Sequence, residues 1–380
     1  MSAKRKLRVG VVMGGRSGEH EVSLASARSV MDAMGEEKYD IVPIGITKTG
    51  RWIAGGDPMQ ALAAGDESLS QPAALLGDPS QRGLMRLEDR EEAVEAVRLA
   101  ELDVVFPVLH GPYGEDGTVQ GLLELAGIPY VGAGVTASAL AMDKILFKKV
   151  MVAHGFPLVP DLAFKRKEWE ADPEAVMDAI EETLGYPVFT KPANLGSSVG
   201  VSKCTDRAGL AAGLADAARY DRKLLVEEAV PHAREIEVSV LGNDESIASL
   251  PGEIVPSREF YSYAAKYLDE GEDASDLLIP APVSPAMAER IRQLAVEVYR
   301  AIDCAGMARV DFLLSGETED LYVNEVNTIP GFTKISMYPK LWEATGIPYS
   351  ELIDRLIELA LERYQDRARS RTSYSVEEAR

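Results

Sequence analysis

Basic residues are scarce in this chain: 40 Lys and Arg stand against 61 Asp and Glu, for a formal net charge of −21. A nucleic-acid binder presents a basic face, so this balance argues against that class. It leaves an anionic small substrate open, because a few local lysines can set the field of a site. Cysteine is scarcer still. Cys204 and Cys304 are the 2 present, far apart and without the short spacing of a metal site. No disulfide scaffold is expected, and a reduced, cytoplasmic setting is the simplest account. No run of eighteen apolar residues occurs, so no membrane-spanning helix is expected. The opening MSAKRKLRVGVVMGG is basic and then apolar, but its apolar part is short and ends in glycines. It reads as a first strand rather than a secretion signal. Internal repeats and low-complexity tracts are lacking, and there is no Gly-Lys-Ser/Thr phosphate loop of the Walker kind.

What is present suffices for two or three cored domains: 380 residues, 46% hydrophobic and 27% charged. Residues 7–13 predict a buried strand, 14–23 a glycine-rich turn and 24–34 a helix. That order opens a parallel α/β unit with its loop at the strand's carboxyl end. Further strands are expected at 40–45 and 102–109, with a helix at 119–125. Residues 46–100 mix Gly, Pro, Asp and Gln and read as a sheet insertion with flexible connections. Residues 128–132 close the unit, and one helix is expected over 137–153. A helix at 171–184 and strands at 187–192, 201 and 224–230 then predict a small α+β unit of two or three antiparallel strands. A third unit follows, with a strand at 236–241, a helix at Pro285–Ala301, a hairpin and a last amphipathic helix at 350–364. The resulting domains are 1–140, 141–232 and 233–380. Residues 257–276 form a long polar segment with aromatics, and such a loop is usually functional, often a lid.

The densest chemistry lies in residues 306–332. Strand side chains alternate, so Arg309, Asp311 and Leu313 share one face, and Val323, Glu325 and Asn327 share another. The polar turn at 315–320 folds these strands together, and symmetric pairing places Asp311 opposite Glu325. Two carboxylates and an amide oxygen suit a hard divalent cation, which would also relieve their repulsion. A hairpin with a solvated acidic face is the other reading. The Gly/Ser loop at 194–200 can wrap phosphate oxygens, with Lys191 and Lys144 to neutralise them, although a plain turn has the same composition. Glu227 and Glu228 end a buried strand, where a hinge can present backbone groups to a purine and a carboxylate to a ribose. Glu235 is a second ribose candidate, and a solvent-facing Glu228 is equally open. His110 and Glu19 lie on loops at strand carboxyl ends, where open sheets place ligands. A serine such as Ser23 near Glu19 makes no nucleophile and base, whereas the carboxylate suits an ammonium group. Arg309 can hold a developing oxyanion, helped by the Gly331 N–H, although Pro330-Gly331 also serves as a simple turn.

Read together, these stretches resemble the ATP-grasp superfamily and, within it, the D-alanine–D-alanine ligase family. The likeness runs over nearly the whole chain. It is carried by GGRSGEHEVSL from Gly14, HGPYGEDGT from His110, Met142-Asp143-Lys144, residues 191–200 and 261–267, Arg309-Val310-Asp311, and Asn324-Glu325-Val326-Asn327-Thr328. The resemblance implies a three-domain ATP-grasp architecture, α/β and α+β, with an N-terminal parallel-sheet (pre-ATP-grasp) domain. It implies ATP as a substrate, two Mg²⁺ or Mn²⁺ ions on Asp311, Glu325 and Asn327, and room for a monovalent cation. Lys144, Lys191 and Ser198 would meet the phosphates, and Lys266 would reach the nucleotide from the lid. Glu227, Glu228 and Val230 match an adenine hinge, and Glu235 the ribose acid. Glu19 matches the residue holding the first D-alanine's ammonium, with His110 nearby. Glu19, Ser197 and Tyr267 match a trio that shuts the lid. Arg309 and Gly331 match oxyanion donors, and Ser336 the group holding the second D-alanine's carboxylate.

Tyr267 further implies D-alanine rather than D-lactate as the second substrate, and a homodimer is implied as well. Ala229 departs from the pattern, standing where some members have an aromatic beside adenine. Residues 51–100 are longer than in the shortest members. A ligase of the same superfamily with another substrate is one rival reading. A periplasmic-type binding protein is another, but it would lack the metal ligands.

Overall fold

The computed structural model describes residues 5–255 and 276–371. Leu7–Gly14 (β1) is buried from Val9 onward. A continuous apolar strand of this kind belongs at the centre of a sheet covered on both faces. His20–Ala33 (α1) returns the chain to Tyr39–Ile46 (β2), which pairs with β1 in parallel. The following residues, read as a sheet insertion, do build sheet. Trp52–Ala54 (β3), the helix Pro58–Ala64 (α2), Gln71–Leu75 (β4), Leu84–Asp89 (β5) and Val94–Ala100 (β6) extend it in antiparallel steps. Val104–Pro107 (β7) closes the order β6-β5-β4-β3-β2-β1-β7. Thr118–Ala126 (α3) follows. The single helix expected over 137–153 is two, Val135–Met142 (α4) and Lys144–Ala153 (α5). Asp143 between them is extended, and its carboxylate accepts from the Leu146 N–H at 3.2 Å. A side-chain cap of this kind starts a new helix in mid-run.

Asp161–Lys165 (β8), Arg166–Ala171 (α6), Pro173–Thr183 (α7), Val188–Pro192 (β9), Ser202–Cys204 (β10), Arg207–Tyr220 (α8) and Lys223–Glu228 (β11) form the second unit. Its antiparallel sheet has four strands, ordered β10-β9-β11-β8, where two or three were expected. Leu224 and Val226 face α7 and α8 in one cluster. The alternate residues of β11 face the other way, where Leu225 packs with Ile145 of α5 and with Ala193. That second face, beneath α5, carries Glu227.

Ala233–Gly242 (β12), Ile247–Ala248 (β13), Gly252–Val255 (β14), Asp276–Leu278 (β15), Pro285–Ala301 (α9), Gly306–Ser315 (β16) and Leu321–Asn327 (β17) make the third unit. Its sheet is ordered β15-β14-β12-β16-β17, with β13 on β12. Ile236, Val238, Val310, Phe312, Val323 and Val326 turn one face of it toward α4, α5 and α9. Met337–Thr345 (α10) and Tyr349–Arg367 (α11) end the described chain. From α11, Leu352, Ile353, Leu356 and Ile357 pack with Val9, Val11 and Phe106 of the first sheet. Among the described residues no helix is long and apolar enough to cross a membrane.

Candidate active site

β16 and β17 set Asp311 opposite Glu325 and Arg309 opposite Asn327. Val323, expected on the same face as Glu325, is not there. Asp311 faces Glu325 while Phe312 faces Val323, so Asn324 is an extra residue in the ladder. The bulge inverts the alternation and sends Val323 into the core beside Phe312 and Val326. Arg309 grips Asp311 with two bonds of 2.7 Å, and the Asn327 amide donates to Asp311 at 2.8 Å. Arg309 also lies 3.0 Å from Glu237, a buried acid on β12 opposite Asp311. Burial works against the guanidinium charge, but Asp311 and Glu237 outweigh it and raise its pKa well above the ordinary value. Lys144, at the start of α5, reaches Glu325 at 2.9 Å. Among the described residues no group of three His, Cys, Asp or Glu side chains stands ready to hold a metal alone. Two carboxylates and an amide oxygen still fit magnesium, which takes one or two carboxylates and completes its shell with water and phosphate oxygens.

The amino end of α5 also meets the Gly/Ser loop. The Lys144 N–H donates to Ala193 O at 3.0 Å, and its ammonium donates to Leu195 O at 3.1 Å. Ser197 and Ser198 both have left-handed backbone, with φ of 53° and 58°. Non-glycine residues hold that conformation at a cost, and such strain gathers at ligand clamps. Ser197 donates to Glu19 on the first unit, tying the loop across the cleft. Lys191 is paired with Glu227, and Lys148 reaches the other oxygen of that carboxylate at 2.7 Å. Burial alone would push Glu227 up, but the two lysines overcome it and hold the carboxyl at about 2. Lys191 is likewise opposed by burial yet raised by Glu227, with Glu325 and Glu235 near enough to add to the field. Glu228 is exposed and Val230 half-buried just beyond β11. Glu235 lies on β12 opposite Leu313. Lys266 and Tyr267 lie outside the described residues.

His110 is buried; its Nδ1 lies 2.9 Å from Ile329 O and its Nε2 3.2 Å from Ser26 Oγ. Burial lowers its pKa, so the ring is neutral and holds residues 329–332 in place. Next to Gly331 in that segment stands Ser336: a Cβ on the glycine would come within 3.0 Å of the serine hydroxyl. Ser23 donates to Val108 O and accepts from the Gly14 N–H at 2.8 Å, so it is structural. Gly111 has φ 75°, and a Cβ there would stand 2.6 Å from both Glu19 and Ser17. Its N–H donates at 2.6 Å to Glu115, which burial and then Glu19 push up to about 8.

Three residues of this site went unread in the sequence. Glu115 lies inside the HGPYGEDGT stretch, Glu237 is one alternation beyond Glu235, and Lys148 is four positions beyond Lys144 on one helix face.

Two family models match the chain. One, described as D-ala D-ala ligase N-terminus, covers residues 8–133, and the other, D-ala D-ala ligase C-terminus, covers residues 150–358. A D-alanine--D-alanine ligase of Natranaerobius thermophilus is 50% identical over 98% of this chain and 99% of its own length. One of Heliobacterium modesticaldum is 51% identical over 97% and 98%. Among solved structures, the VanG D-Ala:D-Ser ligase from Enterococcus faecalis matches with a TM-score of 0.81 at 36% identity, over 94% of this chain and 100% of that one. The D-alanine-D-alanine ligase from Coxiella burnetii matches with a TM-score of 0.79 at 36% identity, over 96% and 97%.

Proposed function

The chain belongs to the D-alanine–D-alanine ligase family, and on that premise we propose that it joins two D-alanine molecules with ATP, giving D-alanyl-D-alanine, ADP and phosphate for peptidoglycan precursor synthesis. Its setting is the cytoplasm and its form a homodimer. The domains divide at 140 and 232. The observation that carries the reading is Asp311 facing Glu325 across the hairpin, with Lys144 and Arg309 in contact with them.

Glu19 holds the ammonium of the first D-alanine, so that its carboxylate lies toward the nucleotide. Residues 227–230 border the adenine, Glu235 meets the ribose, and Lys144, Lys191 and Ser198 meet the phosphates. Asp311, Glu325 and Asn327 would hold two Mg²⁺ or Mn²⁺ ions, which supply charge neutralisation on the phosphoryl group in transfer. A carboxylate oxygen of the first D-alanine bonds to the γ-phosphorus as the bond to ADP breaks. The amine of the second D-alanine, held through Ser336, then attacks the acyl carbon. Arg309 and the Gly331 N–H stabilise the tetrahedral oxygen. Collapse expels phosphate, and the amine sheds its proton. Neutral His110 fixes the segment carrying Gly331. By the resemblance, Glu19, Ser197 and Tyr267 are the trio that shuts the lid and keeps water from the acylphosphate, and Lys266 the lid lysine that reaches the nucleotide, Lys266 and Tyr267 lying outside the described residues.

Phosphate release from ATP and D-alanine tests the reading, and Glu325→Ala is expected to abolish it. A silent wild type would overturn the activity, and an unimpaired variant the metal assignment. D-Alanine is the expected second substrate, so preference for D-lactate over D-alanine at neutral pH would count against the role given to Tyr267.

A further inference from the structure

We propose that Lys148 is a positioning residue: it fixes Glu227 as the ionised acceptor that reads the exocyclic amine of the purine, and so sets preference for adenine over a 6-oxopurine. The inference rests on the nucleotide site proposed above.

Lys144 and Lys148 lie four residues apart on α5, so they leave the helix on one face. They go to different partners, Lys144 to Glu325 of the hairpin and Lys148 to Glu227 of the central sheet. Lys148 is nearly sealed, its side chain 4% exposed. Its ammonium has three acceptors around it: Val159 O at 3.0 Å, Glu227 at 2.7 Å and Asp161 at 3.3 Å. An ammonium has three donors, so this set uses its whole capacity. Asp161 stands directly opposite Glu227 in β8. Moving Lys148 to a phosphate would leave two carboxylates without it, in a place where unpaired charge is costly.

Lys191 is placed differently. It pairs with the other oxygen of Glu227 and precedes the Gly/Ser loop by three residues. It is the cation that can be drawn toward phosphate, while Lys148 stays behind as the fixed counter-ion. The local balance supports this division, since two lysines face two acids. Once Lys191 turns to phosphate, Lys148 is what keeps the Glu227 carboxylate from taking up a proton in its buried setting. An ionised carboxylate only accepts hydrogen bonds, and its two oxygens offer about four positions, so room remains beside the lysine contacts. It therefore accepts from the 6-amino group of adenine and repels the 6-oxygen of hypoxanthine. A protonated one could donate as well, and the distinction would fade.

The test is equilibrium binding of ADP and IDP with magnesium to the full chain, without D-alanine, in the wild type, Lys148→Met, Lys148→Arg and Lys148→Met/Glu227→Gln. The wild type should favour ADP by roughly tenfold or more, the scale of a hydrogen bond to a charged group. Lys148→Met should bring the ADP/IDP ratio toward one by weakening ADP, while Lys148→Arg should restore most of it. In turnover, the KM for ATP should rise by more than kcat falls. Should Lys148→Met not fold, the double variant, with neither member of the pair charged, carries the same measurement with a ratio near one expected. A folded Lys148→Met that keeps the wild-type ratio, or that loses both nucleotides alike, would overturn the role of Lys148 alone. A wild type that binds neither nucleotide would overturn the site itself, and this proposal with it.

Discussion

Glu115 is a carboxyl that the fold makes hard to ionise, because burial and then the nearby Glu19 charge push it from 4.5 up to about 8. Between those two values the folded protein keeps a proton that the unfolded chain has released. Stability must therefore fall as pH rises through that window, by on the order of 1 kcal/mol per pH unit, and level off above it. Glu115→Gln keeps an acceptor for the Gly111 N–H and removes the titration. Urea unfolding should show the variant gaining on the wild type from about pH 5 to about pH 8. Parallel stability curves across that range would refute the assignment. Glu227 has the opposite sign. Lys191 and Lys148 override its burial and hold it at about 2, so its contribution is complete above 4.5 and is lost as pH falls from 4.5 toward about 2. How far such residues can be read from sequence depends on where their partners lie. Asp311, Glu325 and Asn327 declare themselves within one hairpin. Glu115, Glu237 and Lys148 do not, because each acquires its meaning from a neighbour on another element: Glu19 on the adjacent loop of the first unit, Arg309 on the next strand, Glu227 on the sheet beneath α5.

Among the elements, α5 depends on one residue at its start. Asp143 caps it and pairs with Lys223 of β11, so the helix is fixed to the central sheet at the point where Lys144 begins. Asp143→Ala removes the cap, worth about 1 kcal/mol. It also strands a buried ammonium, at a cost of a few kcal/mol. Burial already lowers the Lys223 pKa, so an unpaired Lys223 can shed its proton and limit that loss. A total near ~3 kcal/mol is expected in denaturant unfolding, with Asp143→Asn retaining the cap and losing less. Equal stability of Asp143→Ala and wild type would contradict the pairing. The same Asp143 explains why one helix was read where two exist: helical spacing runs unbroken through it, while its backbone is extended. The strands β1, β12 and β16 and the helix α9 were legible because their apolar patterns are long and regular, and β17 because a polar turn joins it to β16. Residues 46–100 were legible as a sheet insertion but not strand by strand. β6 is mostly exposed and β3 has three residues, so neither presents an alternation to count. The bulge at Asn324 escaped for a related reason, since counting by twos assumes an uninterrupted ladder.

The whole molecule is held by apolar cores that cross its units unequally. One cluster joins Val9, Val11 and Phe106 of the first sheet to Met307, Phe332, Trp342 and the α11 residues Leu352 and Leu356. A second joins α4 and α5 to β12, β16 and β17. The central sheet is different. Among the described residues its main cluster, with Val176, Ile180, Leu210, Leu214, Leu224 and Val226, draws only on its own strands and helices. On the opposite face its apolar bond to α5 is the small group Ile145, Ala193 and Leu225. Polar ties add to it: Lys223 to Asp143, Lys148 to Glu227, and Ser197 to Glu19. Polar ties return far less on rupture to water than a shared core does, because separated ions regain hydration. The central unit should therefore open without unfolding the rest. In native-state hydrogen exchange, amides of β9 and β11 should exchange through an opening of lower free energy than those of β1, β12 and β16. Adding ADP with magnesium should narrow that gap, since a nucleotide held as proposed, by Lys191 on one side and the Glu325 hairpin on the other, would link the central unit to the other two, and ligand binding stabilises only the state that binds. A common exchange free energy for all three sheets without nucleotide would show that the central unit is no separate unit of stability. A gap that nucleotide leaves unchanged would show that the ligand does not bridge them.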